Sequence, residues 1–212
     1  MEFNKVVRGA NRAANDEISI NEILDAGFLC HVSFQHQGQT MTIPTAYGRD
    51  GHFLYLHGST KNFMLNNVID GQVFCICVTH LDGIVLARTL FDTSVNYRSV
   101  VLFGTAKLVE QEEERLHGLK IITNNVLEGR WDEVPIGSEN QLKATMVVKF
   151  HIDKASAKVR NEGPKGDENE KNEVWSGHIP LVLRALEPII DKKFGLDLNM
   201  TESVKKYWQA NK

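Results

Sequence analysis

The chain has 212 residues, 42% of them hydrophobic and 24% charged, with 24 basic and 27 acidic side chains and a net charge of −3. Those proportions belong to a folded globular domain, and the slight acidic excess excludes a general polyanion binder while leaving room for one local phosphate site. The longest wholly apolar run, Val73 to Val78, is too short to span a bilayer, and Met1-Glu-Phe-Asn-Lys5 lacks an apolar signal core. Cys30, Cys75 and Cys77 lie in apolar segments, an odd count that suits a reducing compartment. The expectation is a cytoplasmic protein with neither a nucleic-acid nor a membrane partner.

Residues 1–17 are polar, carry Arg8 and Arg12, and read as an extended arm. Ser19-Ile-Asn-Glu22 has capping-box spacing and predicts a short helix that stops at Gly27. Phe28 to Phe34 reads as a strand, Gln37-Gly38 as a turn, and Thr40 to Tyr47 as a second strand. Gly48-Arg-Asp-Gly51 is a hairpin turn leading to a third strand, His52 to His57. Met64, Leu65, Val68 and Ile69 fall at helical spacing after Ser59. Gln72 to Thr79 is apolar without alternation, as expected of a strand covered on both faces. Leu81-Asp-Gly83 reads as a turn, Gly83 to Thr89 as a strand, and Tyr97 to Val109 as a long strand that Gly104 should bend.

Gln111 to Leu127 is an amphipathic helix with Leu116, Leu119, Ile121, Ile122 and Val126 on its apolar side. Ala144 to Ile152 and Ser156 to Arg160 are late strands. The stretch 161–173 is a polar, flexible surface loop. Leu181 to Ile190 predicts a helix interrupted at Pro188, with a last helical turn or two over Thr201 to Tyr207, so that 178–212 forms a C-terminal helical segment. Six or seven antiparallel strands in hairpin order with peripheral helices argue for one mainly β domain, a small closed or split barrel, because closure removes exposed edges.

The segment Phe53 to Leu65 carries the strongest chemical signal. A strand ending at His57-Gly58 and feeding a helix near Ser59 offers backbone N–H groups, hydroxyls and Lys61 to an anion. Neither G-x-G-x-x-G nor G-x-x-x-x-G-K-[ST] occurs in the chain, so this is no ordinary nucleotide loop. Pro44 belongs at a strand edge or bulge, with Thr45 and Tyr47 facing one way. Arg98, in Asn96-Tyr97-Arg98-Ser99, could hold a phosphate or simply pair with a carboxylate. Trp131 and Trp175 sit beside glycines and either plug a core edge or stack on a ligand. No second cysteine pair or H-E-x-x-H supports a metal site, and no G-x-S-x-G supports a serine hydrolase.

Taken together these segments resemble the pyridoxamine-phosphate-oxidase-like flavoproteins with the FMN-binding split-barrel fold, in their nitroimidazole-resistance-like, flavin-nucleotide-binding branch. The matching pieces are Arg8-Gly9, Leu29-Cys-His-Val32, Ile43-Pro-Thr-Ala-Tyr-Gly-Arg-Asp50, Leu54-Tyr-Leu-His-Gly-Ser59, Leu81-Asp-Gly83, Leu86-Ala-Arg88, Ser94-Val-Asn-Tyr-Arg-Ser-Val-Val101, Gly129-Arg-Trp-Asp-Glu133, Ala155-Ser-Ala-Lys-Val-Arg160 and Trp175-Ser-Gly177.

The resemblance implies a homodimer with FMN at the subunit interface. It assigns the isoalloxazine to Pro44, Thr45, Ala46 and Tyr47, and the flavin and ribityl side to His57, Gly58 and Ser59. Lys61 and Asn62 lie at the phosphate turn, and Asn96, Tyr97, Arg98 and Ser99 on the strand that meets the ribityl phosphate. Trp175 is the aromatic residue brought from the partner. Phe63 stands where relatives often carry Arg, leaving Lys61 to supply the charge. His178-Ile-Pro-Leu181 lacks the basic residues that hold pyridoxamine phosphate.

The resulting expectation is an FMN-dependent oxidoreductase for a small planar or nitro-bearing molecule, not a true pyridoxamine-phosphate oxidase. A non-enzymatic flavin or haem carrier, with His57 and His31 as available imidazoles, is the alternative. A dimer with a degenerate site is the third reading.

Overall fold

The computed structural model describes residues 9–166, 173–191, 193 and 198–212. Most of the expected N-terminal arm, Arg8 included, and positions 167–172 of the expected loop lie outside the described residues. The chain divides into two compact units: Met1–Thr45, Val73–Thr105 and Ile152–Val182 form one, and Ala46–Gln72, Ala106–His151 and Leu183–Lys212 the other. The described residues hold eight β-strands and five α-helices, and the strand pairs are antiparallel, so the mainly β class expected from the sequence is the one found.

In the first unit, α1 (Glu17–Asp25) begins earlier than the sequence suggests. Asp16 is its cap: Ser19 donates its backbone N–H to Oδ1 at 2.9 Å and its hydroxyl to Oδ2 at 2.8 Å. Asp16 reaches the third amide of the helix, so Ser19 sits inside the first turn and the expected Ser19–Glu22 box is not the cap. β1 (Leu29–His36) and β2 (Gln39–Ala46) are joined by Gln37-Gly38, both at positive φ. β2 is an edge strand, which accommodates Pro44.

β5 (Phe74–Leu86) is one continuous strand rather than two. Leu81-Asp-Gly83 is a register irregularity within it, not a turn. Phe74, Ile76 and Val78 are buried while Cys75 and Cys77 are half-buried and Thr79 is exposed, so the strand alternates and one of its faces stays partly open in the single chain. β6 (Ser94–Leu108) pairs with β5 along most of its length, and Gly104 sits in regular register opposite Phe74 with no bulge. β8 (Gly177–Pro180), which the sequence reading missed, pairs with Gly83 to Leu86 at the far end of β5.

In the second unit, β4 (Phe53–Ser59) lies between the three-residue β3 (Gly48–Asp50) and the Thr145–His151 part of β7 (Thr145–Arg160), whose remaining residues belong to the first unit. β7 runs as one strand where the sequence suggests two. The helix α2 (Phe63–Val68) follows β4, and α3 (Glu112–Val126) matches its expected bounds closely. Gly118 on α3 lets the helix settle on the sheet: a Cβ there would lie 2.7 Å from Tyr55 Cδ1 and 2.9 Å from Val147 Cγ1. Tyr55, Val109, Ile122 and Val147 form the cluster beneath it, flanked by Leu119 and Ile121. The short α4 (Glu139–Lys143), also unforeseen, is held by a capping box between Ser138 and Gln141.

Leu181 to Ile190 is not helical, and among the described residues the C-terminal α-helix is α5 (Glu202–Asn211). Pro188 lies inside this stretch and removes a donor that a helix would need, and the Leu181 and Ala185 amides donate instead to Asp82 O and Asn211 O. Thr201 makes no side-chain cap on α5; Glu133 replaces it, its carboxylate accepting the Ser203 N–H at 2.8 Å and the Ser203 hydroxyl. Those bonds hold the Glu133 carboxyl down at about 2. The Gly129-Arg-Trp-Asp-Glu133 segment therefore works here as a docking point for α5.

Candidate functional site

The residues singled out by the sequence fall into two sets, one in each unit. In the second unit, β4 delivers His57, Gly58 and Ser59 to the turn before α2. The helix starts at Phe63, not near Ser59, and Asn62 is its cap, accepting the Leu65 N–H at 3.0 Å. A Cβ on Gly58 would meet Asn62 Nδ2 at 2.9 Å, so glycine allows the capping side chain to fold back onto the strand end.

The turn is largely satisfied from within. The Thr60 amide donates to Ala144 O, the Lys61 amide to Ser59 Oγ, and the Asn62 amide to Ser59 O. The free amides that the sequence suggested are therefore mostly engaged. An anion can still be offered the Lys61 ammonium, which is exposed, and the exposed hydroxyls of Ser59 and Thr60. His57 is exposed in part, yet its surroundings desolvate it enough to lower its pKa, so it is a neutral imidazole at pH 7. Phe63 is exposed on the first turn of α2. Tyr47 is wholly buried and its carbonyl accepts from Asn125 Nδ2, whereas Ala46 is half-exposed.

In the first unit, Pro44 is exposed and Thr45 half-exposed on β2. β6 carries Asn96, Tyr97, Arg98 and Ser99. Asn96 is 3% exposed, and its Oδ1 accepts from the buried Arg160 and from the Glu162 N–H. That makes it a structural residue. Arg98 donates Nε and Nη2 to the two carboxylate oxygens of Asp82 at 3.0 and 2.9 Å. These bonds raise the Arg98 pKa further above its ordinary range. They fix the guanidinium plane and leave Nη1 for another acceptor. Tyr97 and Ser99 are half-exposed on the opposite side of the strand. Trp175 is 64% exposed, and its ring lies over Gly177, where a Cβ would come within 2.9 Å of Cζ2.

Asp82 and Glu133 are the residues that sequence reasoning overlooked. Asp82 was hidden in an apparent turn; only the pairing of β5 with β6 brings it to Arg98. Burial pushes the Cys30 thiol up to about 12, and Cys75 is raised as well, so these thiols are inert. Among the described residues no group of three or more His, Cys, Asp or Glu side chains is arranged to hold a metal ion, and no helix is long and apolar enough to cross a membrane.

No curated protein matches the chain by sequence. Among solved structures, the flavocytochrome Anf3 from Azotobacter vinelandii is 31% identical with a TM-score of 0.90, covering 98% of this chain and 97% of its own. The FAD and heme binding protein from Mycobacterium smegmatis is 28% identical with a TM-score of 0.87, covering 92% of this chain and 97% of its own. A candidate 5-nitroimidazole antibiotic resistance protein from Bacteroides thetaiotaomicron, 22% identical with a TM-score of 0.59 over 69% of this chain and 86% of its own, shares the fold. The pyridoxamine 5'-phosphate oxidase family model matches residues 16–159. With that match spanning most of the sequence, the chain belongs to the pyridoxamine 5'-phosphate oxidase family.

Proposed function

We propose that this protein is a flavoprotein that binds FMN and acts as an oxidoreductase on a small planar or nitro-bearing molecule. The observation that carries this reading is the 31% identity, across nearly the whole of both chains, to a protein named as a flavocytochrome. The residues present are compatible with a flavin phosphate. Lys61 and the Ser59 and Thr60 hydroxyls are open at the β4–α2 turn, and Arg98 is oriented by Asp82 with Nη1 available. Pro44 and Thr45 in the first unit, and Ala46 and Gly58 in the second, are the positions proposed to meet the flavin, with Asn62 and Asn96 holding their neighbours in place and Tyr97 and Ser99 presenting polar groups. A bound flavin supplies hydride or electron transfer; the protein orients it and controls access.

The family's usual dimer, with a second copy bringing Trp175 to the flavin, is part of the proposal. The half-exposed face of β5 and β6, lined by Cys75, Cys77, Leu81, Val101 and Phe103, supports an intersubunit surface there. Pyridoxamine phosphate is not the proposed substrate, because His178 to Pro180 are taken up in β8 and bring no arginine or lysine.

A second reading is favoured by the names of the two structures described above, which pair a flavin with haem. His57, neutral at pH 7, and His31, exposed on β1, are the imidazoles available for iron in that case. The absorbance spectrum of purified protein separates the readings. Flavin bands that bleach on reduction, in a species twice the monomer mass, support the first. A Soret band in addition supports a flavin and haem carrier. A colourless protein that takes up neither FMN nor haem in titration sinks both.

A further inference from the structure

Beside the β4–α2 turn the second unit contains a cavity of about 420 Å³, within the usual size range of a ligand pocket. Thr60 of the turn forms part of its wall, together with Ile69, Leu108 and Met146, which are apolar. Arg115, in the first turn of α3, lines it as well. Its Nε is buried without a hydrogen-bond partner, and no ion pair to Arg115 is found among the described residues. The terminal nitrogens of this guanidinium are not among the buried atoms and, with no ion pair among the described residues, can give charge-assisted bonds to an anion in the cavity. Lys143 is also at the rim, but its ammonium is bonded to Glu139 at 2.6 Å. Glu110 adds one carboxylate to the same wall.

One open cation, one carboxylate acceptor and an apolar floor make an uncommon combination. The cation suits a phosphate. The carboxylate accepts from sugar hydroxyls or an exocyclic amine, and would repel a ligand that was anionic throughout. The apolar wall takes a planar base. We infer that this cavity binds a nucleoside monophosphate moiety, with the phosphate on Arg115 and the nucleoside between Glu110 and the Ile69, Leu108 and Met146 wall.

Two sources offer that chemistry. One is the AMP half of FAD, whose flavin half would occupy the adjoining turn; this version rests on the flavin reading above. The other is a free nucleoside phosphate. On the first, the turn and the cavity are successive parts of one dinucleotide site, and the protein prefers FAD to FMN.

Titration calorimetry of the full-length protein, stripped of bound cofactor, with FMN, FAD and AMP tests the inference. Wild type is compared with Arg115→Gln and with Leu108→Trp, which obstructs the cavity without changing charge. If FAD binds on the order of tenfold more tightly than FMN, and both variants erase that advantage while leaving FMN affinity unchanged, the cavity holds the AMP half of FAD. If AMP binds by itself and is weakened by both variants while FAD and FMN bind alike, it holds a free nucleoside phosphate. AMP that does not bind, with an FAD-to-FMN ratio that neither variant moves, overturns the inference. If neither flavin binds, the flavin reading fails and the AMP titration alone decides the cavity: variant-sensitive AMP binding supports it, and no AMP binding overturns it.

Discussion

The start of β6 and the β4–α2 turn were both expected to hold phosphate, and they meet that expectation in opposite ways. On β6 the polar groups are already engaged by the chain: Asn96 accepts from Arg160, and Arg98 is clamped by Asp82. At the turn the backbone is engaged but the cationic head of Lys61 is exposed. A side chain built into the fold keeps its position without a ligand and can add only its remaining donor. A side chain left in solvent contributes little to folding and can give its whole charge to a ligand, at the entropic cost of ordering it. Substitutions in β6 should therefore register in stability as well as binding, and substitutions in the turn in binding alone.

The largest effect is expected at Asn96. Asn96→Ala removes the acceptor of a buried guanidinium and should lower unfolding free energy by about 3 kcal/mol, read as a shift of the urea midpoint at constant slope. A change below about 0.5 kcal/mol, the scale of a surface substitution, would place Asn96 among the ligand groups instead. Arg98→Ala should cost about 1.5–3 kcal/mol of FMN affinity by calorimetric titration, as loss of a charge-assisted bond does. Asp82→Asn should lower affinity less while loosening the guanidinium. Equal affinities for wild type and Arg98→Ala would leave Arg98 as a purely structural ion pair.

Lys61→Ala should weaken FMN by about 1 kcal/mol, in a manner that fades with added salt, and leave the melting temperature unchanged. A fall in melting temperature without a change in affinity would erase the contrast between the two regions.

The smallest effect lies outside both and serves as a control on global unfolding. Glu133 has its pKa depressed from 4.5 to about 2 by Ser203. Its contribution is therefore complete above pH 4.5 and is lost as pH falls through about 2, because the unfolded chain takes up the proton first. Glu133→Gln should abolish that acid sensitivity and increase hydrogen exchange in α5 at neutral pH, with FMN affinity unaltered. Unchanged α5 exchange would remove Glu133 as its anchor.

Much of this molecule was legible in its residues. The Gln37-Gly38 turn, the helix expected over Gln111 to Leu127 and found at Glu112–Val126, and the strand expected over His52 to His57 and found at Phe53–Ser59 emerge from local chemistry: positive φ, helical periodicity and an apolar run bounded by turn residues. The errors share a cause. Leu81-Asp-Gly83 has turn composition, but β6 on one side of β5 and β8 on the other keep the strand continuous. Leu181 to Ile190 has helical periodicity, yet Pro188 within it and the pairing of the preceding β8 leave it non-helical. Ser19 looks like a cap by spacing, but Asp16 accepts the Ser19 N–H and starts the helix earlier. In each case a neighbour distant in sequence, or a competing side chain a few residues away, outweighed the local preference.

The sequence by itself determined the fold class, the family resemblance and the segments from which a flavin site would be assembled, because alternation, turn chemistry and short ordered motifs are properties of adjacent residues. Only the tertiary structure decided which polar groups remain available. Asp82 reaches Arg98, Asn96 reaches Arg160 and Ser203 reaches Glu133 through strand pairing and helix docking, while Arg115 is left facing a cavity without an acceptor. Hydrogen bonds extend about 3 Å through space whatever the separation along the chain, so the list of committed and uncommitted donors exists only once the chain is folded.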